Sequence, residues 1–322
     1  MKYLLLLTLT VMAALACLVC GSVPIPGSEV WRILCADEAA QPGWSYIVWQ
    51  MRMPAMLTAA LTGAALGVAG LLLQTYFRNP LAGPSILGIT NGANLAVAVV
   101  MLCTGTTVGL GLTGAAMAGA LLVLVVLLGL GRVVRQPVTL LIVGVLLSYL
   151  TSALLTLLHY QASADGVQAL LVWGMGSFQQ VGMQQMPLYA ALIAVGLAGS
   201  MLLIRPLNGW MLGELYARNS GISPTLVRWG VLLATGLLCA VTTAWCGPIA
   251  FIGLSIPHMA RLMFGTDDHR TLLPATMLLG ALCALLCLWL STMPSQGRTL
   301  PLNALTPLFG VPVILYVLLR RK

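Results

Sequence analysis

Apolar residues run through this chain in long blocks close to the roughly 20 residues that cross a bilayer, separated by short polar or Pro/Gly-rich breaks. The blocks predict ten spans, at roughly 3–20, 54–75, 84–103, 112–130, 138–158, 187–204, 229–246, 249–264, 271–290 and 303–319. The runs are continuous rather than alternating, which selects helices over a barrel, because a backbone in hydrocarbon must satisfy its own N–H and C=O groups. The expected fold class is therefore all-α, a polytopic membrane protein with one transmembrane domain over residues 1–322. A signal peptide is the alternative reading of the first block, KYLLLLTLTVMAALACLVCGS. Its apolar stretch is long for a signal sequence and Leu15-Ala16-Cys17 is a poor lipoprotein cleavage site, so a retained helix is expected.

One run breaks the greasy pattern. MLGELYARNSGISPTLVRW (211–229) reads as two short water-facing helices joined by a tight turn. Gly213, Ala217 and Gly221 recur every four residues, which predicts a shallow face of small side chains, with Glu214 and Arg218 as an i,i+4 pair beside it. Gly221 suits a left-handed stop, and Ser223-Pro224 an N-cap followed by the first helical position.

Charge supports the span count. With the N-terminus inside, Lys2, Arg78, Arg132, Arg135, Arg205, Arg218, Arg228, Arg261, Arg270, Arg320, Arg321 and Lys322 all fall on the inner side, and only Arg32, Arg52 and Arg298 outside. That bias explains the net charge of +8 without a nucleic-acid partner and puts both termini in the cytoplasm. The eight cysteines share no metal-type spacing with histidines and read as small packing residues, mostly inside spans. No metal or cofactor is expected. His258, beside Pro257, reads as a hydrogen-bonded structural residue; His269, within TDDHR, reads as a loop residue, and Asp267, Asp268 and Arg270 as a helix N-terminal charge cluster.

Three stretches carry a resemblance. RMPAMLTAALTGAALGVAGLLLQTYFRNPLAGPSILGITNGAN (52–94), CGPIAFIGLSIPHMARLMFGTDDHRTLLP (246–274) and LTPLFGVPVILYVLLRRK (305–322) are similar to the signatures of FecCD-type permeases of ABC importers, and GELYARNSG resembles the cytoplasmic motif that engages their ATPases. The likeness runs from about Gln50 to Lys322. It implies a type II importer permease: a homodimer of ten-helix subunits in the bacterial inner membrane, with two cytoplasmic ABC ATPase subunits and a binding protein on the outer face. It also implies an ATPase-coupling loop at about 205–228, carried by Gly213, Glu214, Ala217, Arg218 and Gly221. By the same resemblance the cytoplasmic gate is Asn79 and Leu81, facing their copies in the second subunit, with a second segment near Pro137 and Val138. The prolines of YFRNPLAGPSILG independently predict that the second span ends near Phe77 and the third starts near Pro84.

The outer surface departs from the family. An R-x-P-R pattern is reduced to Arg52 with Ala55, and a third docking arginine is Thr292; Arg52 and Arg298 are the expected reduced docking pair. The segment 159–185 is expected to include a short helix at the outer mouth. No G-x-x-x-x-G-K-[ST] occurs, so the motor must be a separate subunit. An ion-coupled secondary transporter is the rival reading; it is disfavoured because Glu29, Asp37, Glu38, Asp165, Glu214, Asp267 and Asp268 all lie in predicted loops. An intramembrane enzyme lacks any H-E-x-x-H or paired carboxylates. The implied cargo is a large chelate, siderophore-bound iron, haem or cobalamin, with the iron chelates placed first because that part of the family is larger.

Overall fold

The structure, a computed structural model, describes residues 1–35, 41–104, 109–134, 136–293 and 299–320. In chain order its helices are α1 (Lys2–Val19), α2 (Gly27–Leu34), α3 (Pro42–Tyr46), α4 (Met53–Phe77), α5 (Ile89–Thr104), α6 (Leu110–Val133), α7 (Pro137–Gln161) and α8 (Ala164–Gly174). There follow α9 (Met186–Leu202), α10 (Ile204–Met211), α11 (Glu214–Asn219), α12 (Pro224–Cys246), α13 (Ile252–Phe264), α14 (His269–Thr292) and α15 (Leu302–Arg320). A π turn, Ile47–Arg52, joins α3 to α4, so that Gly43–Phe77 runs as one 35-residue helical segment.

Each expected span has a helical counterpart, but four of them, α5, the α9–α10 pair, α13 and α15, are not single helices long enough to cross alone. Among the described residues, six helices are long and apolar enough to cross a membrane alone, while α9 and α10 form a pair bent by 48°. The eighth span is shorter than the sequence suggests. Its helix α13 has 13 residues, a rise of only ~20 Å, and the chain reaches it through the non-helical stretch 247–251. The break therefore sits upstream of Pro257, which lies inside α13. The third span opens with a 3-10 turn at Pro84–Leu87 before α5, and the second ends at Phe77 as the prolines predict.

Helix α4 is the axis of the bundle, buried on nearly every side from Thr58 to Phe77. Its small residues allow its neighbours to approach to backbone contact. A Cβ on Gly63 would overlap the Gly280 carbonyl of α14, and one on Gly70 would overlap the Gly253 carbonyl of α13. Between helices in lipid, such close approach replaces the hydrophobic effect as the source of association. By contrast, α7 leaves Val138, Ile142, Leu146, Tyr149, Leu150, Leu154 and Leu157 exposed, the greasy surface expected toward lipid or a second subunit. Five of the cysteines (17, 239, 246, 283, 287) are buried packing residues; Cys20, Cys35 and Cys103 are exposed.

Candidate coupling and gate region

The end of α4 sets the geometry of the candidate gate loop. Arg78 takes a left-handed conformation (φ 48) and turns the chain, and the Asn79 N–H bonds back to the Gln74 carbonyl at 3.2 Å. The Asn79 carboxamide oxygen then accepts the Leu81 N–H at 2.9 Å, an Asx turn that leaves Leu81 exposed at the tip. Helix α13 grips this loop from the side. The His258 ring is 2.8 Å from the Pro80 carbonyl, Gln74 Nε2 donates to the Leu254 carbonyl at 3.0 Å, and Arg261 donates to Gln74 Oε1 at 2.6 Å while pairing with Asp267 at 3.2 Å. His258 is thus the structural residue the sequence predicts. At the same end of the bundle, Pro137 opens α7 and Val138 is exposed.

The run 211–229, the candidate coupling segment, forms the expected pair of helices, with one correction. Helix α11 is closed by Gly221 (φ 78), whose N–H bonds to the Arg218 carbonyl while the Ile222 N–H bonds to the Ala217 carbonyl at 2.8 Å. These two bonds are the Schellman pattern. Ser223 and Pro224 then start α12. The small residues do not make an exposed face, however. Ala217 is fully buried, and Gly213 and Gly221 lie outside the six-residue helix at positive φ. A four-residue spacing of small residues does not by itself make a helix face, and here Ala217 alone packs against the protein, while a Cβ on Gly213 or Gly221 would meet nothing within 4 Å. What α11 exposes is Leu215, Tyr216 and the Glu214–Arg218 pair at 2.8 Å.

Two clasps tie α10, just before α11, to the gate helix α4. The first is aromatic. Trp210 Nε1 donates to the Tyr76 carbonyl at 3.1 Å, its ring stacks on Tyr76 at 5.7 Å, and the Arg78 guanidinium lies over the indole while donating to the Trp210 carbonyl. The second is polar. Asn208 Oδ1 accepts both the His269 backbone N–H (2.9 Å) and ring Nδ1 (2.7 Å), and His269 Nε2 sits 2.8 Å from Thr75 Oγ1. His269 is accordingly not a loop residue but fully buried, the first residue of α14. Nothing local in TDDHR signals this, because its partners come from α4 and α10. A cavity of about 250 Å³ lies between gate loop and clasps, lined in part by Gln74, Arg78, Met211 and Arg261.

Asp268 caps α14 as the sequence predicts. Its carboxylate accepts the Arg270 N–H at 2.9 Å and Asn208 Nδ2 at 2.6 Å, and these bonds, the backbone one first, hold its pKa below the usual carboxylate range. A depressed carboxyl stabilises the fold above its unfolded value of ~3.9 and loses that contribution as pH falls through the folded value. Asp268→Asn should therefore flatten the acid limb of the melting profile, with a smaller loss at neutral pH than Asp268→Ala, which removes the cap altogether.

At the opposite end of the bundle, Arg52 is placed differently from the expectation of an outward docking charge. It is 9% exposed, and its guanidinium donates to the carbonyls of Leu18 (2.7 Å), Val19 (2.8 Å) and Val23. The last carbonyls of α1 have no intrahelical partner and sit at the negative end of the helix dipole, so a cation from the adjoining π turn satisfies them. Arg298 lies outside the described residues. The expected short helix is α8, capped by Ser163. It lines a cavity of about 720 Å³ with Asp165, Gln168 and Trp173, joined by Gln179, Gln180 and Gln185.

Comparison with known proteins accounts for this arrangement. The FecCD transport family matches residues 7–320. The vitamin B12 import system permease protein BtuC of Klebsiella pneumoniae subsp. pneumoniae is 39% identical over 297 residues, covering 90% of this chain and 89% of its own. The BtuC protein of Salmonella typhi is 39% identical over 295 residues, with 89% and 90% covered. Among solved structures, a metal-chelate type ABC transporter in an inward-facing conformation superposes with a TM-score of 0.86 at 29% identity, with 98% of both chains covered. The chain belongs to the FecCD transport family and is a translocation permease of the ABC-importer type, not a catalytic subunit.

Proposed function

We propose that two copies of this chain form the pathway of an ATP-driven importer in the bacterial inner membrane. Both termini and residues 205–228 face the cytoplasm, two ABC ATPase subunits bind there, and a binding protein delivers cargo to the outer face. The cargo is a large chelate. Cobalamin comes first, ahead of the iron chelates favoured by family size, because the similar permeases carry the vitamin B12 name over nine-tenths of this chain.

The observation that carries this reading is the double clasp between α10 and α4. A force on α11 reaches the Asn79–Leu81 turn through Trp210 and Tyr76 and through Asn208, His269 and Thr75, without crossing a flexible loop. Asn79 and Leu81, with Pro137 and Val138, close the inner end of the pathway. Gly213, Ala217 and Gly221 shape α11 and its turns, Glu214 and Arg218 flank the contact, and Leu215 with Tyr216 supplies its apolar centre. Arg52 supports docking by fixing the corner between α1 and the π turn, and Arg298 provides the free charge. Closure of the ATPases on ATP shifts α10 and α11 as a near-rigid body.

Tyr216→Ala tests the contact. Loss of an exposed aromatic anchor of this kind costs ~2 kcal/mol, about 30-fold in affinity. The variant should fold and insert normally, while ATPase co-purification and ATP-driven uptake of cyanocobalamin drop together. Uptake at the parental level would remove the coupling surface from α11.

A further inference from the structure

The break between α12 and α13, residues 247–251, is non-helical within an otherwise apolar helical run, and one side chain bonds it to its neighbours. Three pieces meet there: the end of α8, the stretch 247–251 and the start of α15. Asn303, the second residue of α15, bonds the other two. Its Oδ1 accepts the Ala250 N–H at 3.0 Å, its Nδ2 donates to the carbonyls of Gly174 (3.0 Å) and Pro248 (2.8 Å), and its own N–H donates to the Met175 carbonyl at 3.2 Å. A further bond, from the Ser177 N–H to the Cys246 carbonyl at 2.8 Å, joins the same pieces. Gly176 (φ 74) and Gly247 (φ 72) let them touch; a Cβ on either would lie 2.9 Å from the Pro248 carbonyl or 2.7 Å from the Trp173 carbonyl. Four residues after Gly247, Phe251 has a positive φ of 67, a conformation that costs a non-glycine residue about 1–3 kcal/mol and persists only when its surroundings fix it.

We infer that Asn303 is a positioning residue for transport: its carboxamide fastens the mouth helix α8 to the head of α13, so that α8 and the Asn79–Leu81 turn respond to one another through a single short rod. Contacts along α13 complete the connection, since Gln74 is held by Leu254 in its first turn and by Arg261 near its end, and His258 between them holds the Pro80 carbonyl. Helix α13, 13 residues long with Pro257 inside it, is packed backbone to backbone on α4 at Gly70 and Gly253, and the stretch leading into it is pinned by a residue that satisfies two acceptors and a donor at once. Irregular backbone at membrane depth persists only with such partners. This inference rests on the importer reading for its purpose, but the connection itself is a property of the isolated chain.

Hydrogen–deuterium exchange on the full chain in lipid nanodiscs tests it without cargo, motor or binding protein, so a failure here is distinct from a failure of the importer reading. Asn303→Ala should raise exchange locally at 174–177 and 247–252 and also, roughly tenfold, at the Ala82 and Leu81 amides of the distant turn, with α5 and α6 unchanged. Asn303→Asp keeps the acceptor for Ala250 but sets a carboxylate against two carbonyls; on acidification the protonated acid donates to one of them. Its exchange at both ends, corrected for the intrinsic pH dependence, should return toward the parental value as pH falls from 8 to 5.5. A change confined to 174–177 and 247–252 in both variants would overturn the proposal, as would uniform exchange throughout the chain or no change at either end.

Discussion

Gly70→Ala should leave almost no folded protein to isolate. The new methyl would overlap the carbonyl of Gly253, with the Gly253 Cα only 2.9 Å away, and neither is the end of a side chain that can swing aside. Over-packing that side chains can absorb costs about 1–3 kcal/mol; here two helix backbones must separate instead, which also opens the contact of α13 with the gate loop. Against a total stability of about 5–15 kcal/mol, the monodisperse fraction in detergent should drop at least about tenfold. Gly199→Ala is the control, because a Cβ there meets nothing within 4 Å and a helical alanine is favoured over glycine by roughly 0.5–1 kcal/mol. Equal yields from the two variants would show that the α4–α13 crossing is looser than described.

Trp210→Ala is expected to have the next largest effect and a more informative one. The indole is buried at 4% exposure, stacked on Tyr76, bonded to its carbonyl and covered by Arg78. Removing a buried tryptophan costs about 3–5 kcal/mol, so the melting temperature should drop clearly. The polar clasp through Asn208 and His269 remains, and should keep α10 seated well enough for the protein to assemble. The expected signature in the reconstituted importer is ATP hydrolysis that continues while uptake falls by an order of magnitude or more. A Trp210→Phe variant keeps the stacking and loses only the N–H bond, and should recover most of the uptake. If Trp210→Ala lowers hydrolysis and uptake in equal proportion, the clasp serves stability alone.

The spans were legible because hydrocarbon imposes a length and forbids unpaired backbone; α1, α6, α7, α12 and α14 follow their apolar blocks within a few residues. The turn after α11 was legible too, since Gly221 and Ser223-Pro224 encode their conformations locally. The break before α13 was legible in kind, since Gly247, Pro248, Gly253 and Pro257 signal a bent or broken span, but not in place. That the helix is lost at 247–251 and kept through Pro257 depends on partners such as Asn303, more than fifty positions away in sequence. The same limit explains His269 and Arg52. A histidine among loop-like neighbours gives no sign that Thr75 and Asn208 will enclose it, and an arginine beside a span gives no sign that α1 ends within its reach. Small-residue spacing at Gly213, Ala217 and Gly221 marked out a short helix with its turns, yet it gave no sign that both glycines fall outside α11 and only Ala217 is buried.

Uptake of cyanocobalamin by proteoliposomes that hold the chain with its ATPase, with binding protein supplied on the outer face, tests the central claim most directly. The account predicts uptake that requires hydrolysable ATP on the coupling side and persists when a protonophore and sodium ionophore collapse the membrane gradients. Accumulation driven by a gradient with no ATPase present would contradict it.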